Sequence, residues 1–166
     1  MTSSLYVTFR AGALEAALPQ AAVAEILPVP ELAAAPGAPR VLAGFVNLGG
    51  EAVAALALDR LLDAEGGEPA PALYRHLIRL RPLAGAPSVT LLVDRVTDAA
   101  AHAPDTQAVE EADSLGGCVA ETALIDGRLT PVLSPEHLLL AEEKARLDEF
   151  ARRAQERLAA WESEPA

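Results

Sequence analysis

The side chains best suited to chemistry in this sequence are three histidines and one cysteine. His76, His102 and His137 are far apart and fit neither the HxxxH nor the HExxH spacing by which paired histidines bind zinc. Cys118 has no neighbouring base in the sequence to activate its thiol, and no serine lies in a GxSxG elbow. The sequence therefore predicts no catalytic residue and no metal site, and we expect the protein not to be an enzyme.

Two further patterns suggest nucleotide binding or proton transfer, and both have a simpler interpretation. Gly49 and Gly50 lack the following Lys and Ser/Thr of a P-loop, and no GxGxxG opens a helix after a strand, so these glycines are more typical of a turn. Glu110 and Glu111 are adjacent acids in polar sequence, and such pairs are usually solvated rather than a general acid and base. We expect no bound cofactor.

The composition excludes several classes of partner. Of the 166 residues, 51% are hydrophobic and only 4% aromatic, which predicts a core of Ala, Val, Leu and Ile. The net charge of −11 would repel phosphate backbones and anionic membranes, so we expect no nucleic-acid partner. No uncharged apolar run approaches the roughly 18 residues of a membrane helix, so we expect no direct membrane insertion. One cysteine and no signal-peptide pattern favour the cytoplasm.

Short apolar runs separated by glycine and proline turns recur along most of the chain. Paired runs over residues 5–18, 41–58 and 119–133 predict β-hairpins, the last across the tight-turn dipeptide Asp126-Gly127. Prolines between residues 28 and 39 exclude a helix there. Because no βαβ alternation appears, the pattern predicts a mostly β, barrel-type fold.

A helix is predicted at the C-terminus, over residues 134–162. Ser134 can cap its first turn, and Pro135 suits the first helical position. An apolar stripe with spacings of three, four and seven residues runs along one face. This stripe either packs on the chain's own β-structure or docks a partner. The candidate interface residues on it are Leu147, Phe150, Leu158 and Trp161.

The segment Gly44–Gly50, with the sequence GFVNLGG, resembles the G-x-x-N-L-R-G signature of CheW-like domains. Four other blocks of that family occur in the same order and at similar spacing, at residues 6–9, 23–27, 93–98 and 124–129. The resemblance indicates a CheW-like domain over residues 1–145, with the helix at 134–162 closing it.

The resemblance implies a mainly β fold in which two small five-stranded β-barrel subdomains surround a shared core, with a C-terminal α-helix. The first barrel would receive the early strands and the second the later ones. CheW-like proteins have no active site and act as scaffolds that couple a methyl-accepting chemoreceptor to a CheA-type histidine kinase. The implied partners are the regulatory domain of that kinase and the cytoplasmic tip of the receptor, which sits in a groove between the barrels.

The resemblance also assigns candidate residues for receptor and kinase binding. They fall in three blocks: Val23, Glu25 and Ile26; Gly44, Val46, Asn47, Leu48 and Gly49; and Val93, Asp94 and Val96. Aliphatic side chains in a groove would give apolar area to a helical tip, while Asn47 and Glu25 would fix its register by hydrogen bonds. Taken singly, the aliphatic residues fit a barrel core equally well.

One residue departs from the family signature. Gly49 stands where the signature has arginine, so the ion pair of that arginine with the acid at Glu25 cannot form in the usual way. Glu25 then needs another partner, or solvent. Two further departures are Ala57, where the family commonly has aspartate, and extra prolines between Tyr74 and Val93. Together these changes favour a specialised adaptor that serves a surface-sensing, twitching or second-messenger array.

Two other functions stay open. An acidic regulatory β-barrel would bind or dimerise through its C-terminal helix, and removing the residues after about Glu143 would then abolish partner binding. A small-molecule-binding or enzymatic barrel is disfavoured, because the sequence shows no convergent polar groups.

Overall fold

The computed structural model describes residues 4–33, 37, 41–62, 64–67, 71–82, 88–103, 106–108, 118–138 and 151–161. Within these ranges the chain is mostly β-structure, as the alternating apolar runs predict. The strands are β1 (Ser4–Ala11), β2 (Leu14–Pro19), β3 (Val23–Pro28), β4 (Leu42–Leu48), β5 (Glu51–Ala57), β6 (His76–Leu80), β7 (Val89–Val93), β8 (Arg95–Ala103), β9 (Thr106–Ala108), β10 (Val119–Ile125) and β11 (Arg128–Leu133). Short helical turns occupy Gln20–Ala22, Leu58–Leu61 (α1) and Ala72–Tyr74, and a longer helix, α2, occupies residues 151–161.

One sheet, here called the terminal sheet, joins early and late parts of the chain. Its strand order is β8-β1-β2-β11-β10-β9, and β11 runs parallel to β2 with Val132 opposite Ala17. The expectation that early strands form one barrel and later strands the other is therefore wrong, because β11 and not β3 completes the edge of β2. The sheet also has six strands instead of five, since Thr106–Ala108 adds to the free edge of β10.

The second sheet, here called the central sheet, uses one contiguous part of the chain. Its order is β3-β6-β7-β5-β4, with five strands as expected. β7 runs parallel to β5, with Val89 opposite Ala54. Over the described residues neither ladder of hydrogen bonds returns to its first strand, so both subdomains are open sheets and not closed barrels.

A shared hydrophobic core lies between the two sheets. Fully buried side chains come to it from both, including Phe9 and Leu18 of the terminal sheet and Leu56, Ile78 and Leu91 of the central sheet. Each sheet has a further small cluster on its other face: Tyr6, Ala17 and Val132 in one, and Val46, Val53 and Leu77 in the other. Strands covered on both faces are continuous apolar runs, as β5 shows. This confirms two β subdomains around a shared, mainly aliphatic core.

The C-terminal segment begins with a turn and ends in α2. At the turn, the backbone N–H of Leu138 donates to the carbonyl of Ser134 at 3.1 Å. The predicted stripe residues Leu147 and Phe150 lie outside the described residues, so a continuous helix from Ser134 remains a prediction. No helix in the described ranges is both long and apolar enough to span a membrane.

Candidate functional site

The signature segment forms a hairpin, here called the signature hairpin, that comprises residues 44–53 of β4 and β5. Its strands pair antiparallel, with Asn47 opposite Ala52 and Leu48 opposite Glu51. The Oδ1 atom of Asn47 accepts the backbone N–H of Gly50 at 2.8 Å, so the asparagine holds the turn by a local hydrogen bond. Gly49 has a φ of +62°, a left-handed conformation in which side chains are strained. The GFVNLGG segment thus encodes a turn that a side-chain hydrogen bond holds.

Gly44 lets a neighbouring segment approach the edge of β4. Ala33 and Phe45 exchange two backbone hydrogen bonds of 2.8 and 2.9 Å. A Cβ atom on Gly44 would lie 2.7 Å from the carbonyl oxygen of Ala33 and 3.0 Å from the Cβ of Leu32. The glycine is therefore a packing requirement, because a side chain there would push this bridge away from the strand edge.

Glu25 forms an ion pair with an arginine on the neighbouring strand. Arg79 lies opposite Glu25 in the antiparallel pair of β3 and β6, and its guanidinium Nη1 is 3.2 Å from the carboxylate. The Nη2 atom of the same arginine lies 3.8 Å from the carboxylate of Glu51 at the start of β5. Arg79 thus joins the β3 block to the signature hairpin, although Gly49 carries no side chain to do so.

Sequence reasoning missed Arg79. The available signal was a single charged residue within the apolar strand His76–Leu80, but assigning its partner required the pairing of β3 with β6. That pairing joins residues far apart in the chain, and no local pattern reveals it.

Several predicted contact residues are buried in the chain's own core. Val46 and Val93 are each only 2% exposed, and Val23 is 8% exposed. Ile26 and Val96 are half-buried against the shared core. Buried aliphatic side chains expose no surface area that a partner could contact unless the fold rearranges. These residues therefore stabilise the core beneath the surface. Leu48 is likewise half-buried, against the outer cluster of the central sheet.

Asp94 lies at the seam between the two sheets. Its Oδ2 atom accepts the backbone N–H of Gly12 at 2.8 Å, and its own N–H donates to the carbonyl of Arg10 at 2.9 Å. These bonds tie the junction of β7 and β8 to the turn that follows β1. The third predicted block therefore fixes how the two subdomains sit together.

The helix α2 packs on the signature hairpin. The Oε1 atom of Gln155 accepts the N–H of Ala52 at 2.9 Å, and its Nε2 atom donates to the carbonyl of Gly50 at 3.1 Å. Ala154 is 6% exposed, and Leu158 is half-buried against the shared core. Part of the predicted apolar stripe therefore packs on the chain's own sheet.

A groove remains between α2 and β4, here called the hairpin groove. Its volume is about 460 Å³, and its lining includes Phe45, Asn47, Arg157 and Trp161. Trp161, a predicted interface residue, is 79% exposed. Across the described residues no three His, Cys, Asp or Glu side chains are grouped as a metal site would need.

The exposed part of this site consists of ion-pairing and hydrogen-bonding groups on a β framework. The family model described as "CheW-like domain" matches residues 5–143. The chain therefore belongs to the CheW-like family. Members of this family are non-catalytic scaffolds, so family membership makes the chain a chemotaxis scaffold and adaptor and not an enzyme.

A solved structure has the same fold. The scaffolding protein TtCheW from Thermoanaerobacter tengcongensis superposes with a TM-score of 0.75 at 16% sequence identity. The match covers 87% of this chain and 92% of that one. No curated protein matches the sequence significantly.

Proposed function

We propose that this protein couples a methyl-accepting chemoreceptor to a CheA-type histidine kinase in the cytoplasm, at the receptor array. The observation that carries the proposal is the placement of Arg79 between Glu25 and Glu51, 3.2 and 3.8 Å from their carboxylates. Arg79 links an acid of the Glu25 block to an acid of the signature hairpin, which supports the proposal that these blocks act together. We call Glu25, Asn47, Glu51 and Arg79 the coupling surface.

The coupling surface has the properties of an interface rim. The side chains of Glu25 and Glu51 are 43% and 54% exposed, while that of Arg79 is 26% exposed. Exposed charges of this kind set orientation and association rate more than total affinity. The buried residues Val46 and Val93 contribute indirectly, because their strands β4 and β7 pair with β5 and β6, which carry Glu51 and Arg79.

Titration against two fragments tests the proposal. The purified protein is titrated at physiological salt with a CheA-type regulatory domain and, separately, with a receptor-tip fragment, both from the same genome. Saturable binding to both at micromolar strength or better is expected. We expect Arg79→Ala to weaken at least one of them about fivefold or more, since it leaves two facing carboxylates without their cation.

Arg128→Ala is the matched control for this titration. Arg128 forms a comparable surface ion pair with Glu15, at 3.4 Å, on the terminal sheet. Its removal should leave both affinities unchanged. Equal losses in the two variants would show that the coupling surface has no special role, and binding of neither fragment by the wild-type protein would refute the proposal.

Trp161 favours one alternative function, an acidic regulatory β-domain that binds or dimerises through its C-terminal helix. Its indole is 79% exposed next to the hairpin groove, and exposed aromatic residues are enriched at interfaces. The alternative predicts that Trp161→Ser abolishes self-association measured by sedimentation. The coupling proposal predicts no such dependence.

A further inference from the structure

The helix α2 lies outside the family domain yet contacts its signature. The family match ends at residue 143, and α2 occupies residues 151–161. Gln155 binds Gly50 and Ala52, which lie at the turn and the first residues of β5 in the signature hairpin. Strand β7 begins opposite Ala54, so it does not pair with the first residues of β5. The side-chain amide of Gln155 has a donor and an acceptor like a peptide group, and it makes the hydrogen bonds that β7 does not supply there.

Few side chains of α2 are buried against the rest of the protein. Ala154 is its only fully buried side chain, with Ala151 and Leu158 half-buried, and its remaining residues are exposed. The hairpin groove beside it, of about 460 Å³, leaves part of the interface without contacts. With one buried side chain over residues 151–161, the described part of α2 belongs to the less stable elements of the fold.

Opposite charges meet at this contact, because Arg157 of α2 and Glu31 line the same groove. Attraction between such exposed charges weakens as salt screens it.

We infer that α2 is a built-in competitor for the signature hairpin, which it contacts at Gly50 and Ala52 in the free protein and leaves when a helical partner docks. The inference rests on the proposed function, in which the receptor tip is the helical partner. A face that already receives one helix suits another, so the receptor tip and α2 would occupy it in turn. Affinity for the tip is then reduced by the fraction of molecules in which α2 is docked.

Gln155→Ala in the full-length chain tests this, with Glu156→Ala as the control. Gln155 is an exposed residue with two bonds to the hairpin, while Glu156 is its exposed neighbour. Removing the glutamate makes α2 more basic, so the control cannot imitate release by a charge effect. The first readout needs no partner: amide hydrogen exchange at Ala52 should accelerate about fivefold or more in Gln155→Ala, with Leu56 in the same strand unchanged.

The second readout is binding of the receptor-tip fragment. We expect Gln155→Ala to bind it about threefold or more tightly, and Glu156→Ala to bind it as the wild type does. Faster exchange at Ala52 with unchanged tip affinity would overturn the inference and leave the proposed function standing. So would tighter binding of the kinase regulatory domain alone, or unchanged exchange at Ala52. If no variant binds either fragment, the proposed function itself fails, and the inference fails with it.

Discussion

Arg79 and Glu25 face each other across β6 and β3, with the guanidinium 3.2 Å from the carboxylate. Gly49 carries no side chain where the family signature has arginine, and Arg79 supplies a cation to Glu25 from an adjacent strand. Glu25 is therefore paired within the fold without the signature arginine.

Arg79→Ala should change the free energy of unfolding by less than about 1 kcal/mol. The pair is partly exposed to solvent, where screening and side-chain entropy offset most of the attraction. Urea denaturation of this variant and of Arg128→Ala checks the value. A loss of several kcal/mol would mean that the ion pair supports the sheet, and the binding titration would then need a milder substitution such as Arg79→Lys.

Asn47→Ala should destabilise the protein by about 1 kcal/mol, because the N–H of Gly50 loses its acceptor at the turn. Asn47→Asp retains an acceptor oxygen at that position and should be close to wild type. The measurement is the urea midpoint of both variants. Equal effects of the two substitutions would show that the turn does not depend on this bond.

Gly44→Ala should cost more stability than Gly49→Ala. Both glycines have positive φ, but only a Cβ at Gly44 meets backbone, 2.7 Å from the oxygen of Ala33, while nothing lies within 4 Å of one at Gly49. We expect about 2 kcal/mol or more at the first position and about 1 kcal/mol at the second. Thermal unfolding of the pair checks the order, which a reversal would contradict.

Val46→Asp should unfold the domain and not merely weaken a contact. Val46 is 2% exposed in a cluster with Val53 and Leu77, and an unpaired carboxylate buried there costs several kcal/mol. Circular dichroism is the test, with Val46→Ala as a milder companion that leaves a small cavity. A folded Val46→Asp protein would show that this side chain reaches solvent.

The pKa shift of Tyr6 predicts that the protein loses stability at alkaline pH. Burial, together with the hydrogen bond that its hydroxyl donates to Glu121 at 3.0 Å, raises the pKa of Tyr6 above its ordinary value of 10.0. The folded state therefore holds this proton more tightly than the unfolded state. Its contribution to stability is complete below about pH 10 and is lost as the pH rises through the raised folded pKa.

Tyr6→Phe removes that titration and provides the comparison. Urea midpoints of both proteins between about pH 9 and pH 11 should show a steeper decline for the wild type. Parallel declines would mean that Tyr6 keeps the same pKa when the chain unfolds.

Local features of the fold could be predicted from the sequence. The glycine turn at Gly49 and Gly50 and the Asp126-Gly127 dipeptide each signal their hairpin within a few residues, and both hairpins are present. The parallel pairing of β2 with β11 could not be predicted, because it joins distant segments and depends on which faces are buried. Strand β9 was missed because it is only three residues long and lies in an acidic stretch of sequence.

In the candidate site, too, local features could be predicted from the sequence and long-range contacts could not. The signature predicted the location of the turn, but not that Asn47 would use its oxygen internally or that Val46 would face the core. A one-residue step along a strand exchanges core for surface, so burial depends on register. Arg79 and Gln155 act through contacts across the fold, and neither has a distinguishing local pattern.

The strand order of the two sheets determines which sheet can form first while the chain is being synthesised. Every strand of the central sheet is available once Val93 has been synthesised, whereas the terminal sheet waits for Leu133, since β11 pairs with β2. The first hairpin of the nascent chain, which carries Phe9 and Leu18, therefore emerges long before the strand that completes its sheet. Until then the edge of β2 lacks its partner strand, and a chain interrupted before Arg128 would leave that edge unpaired.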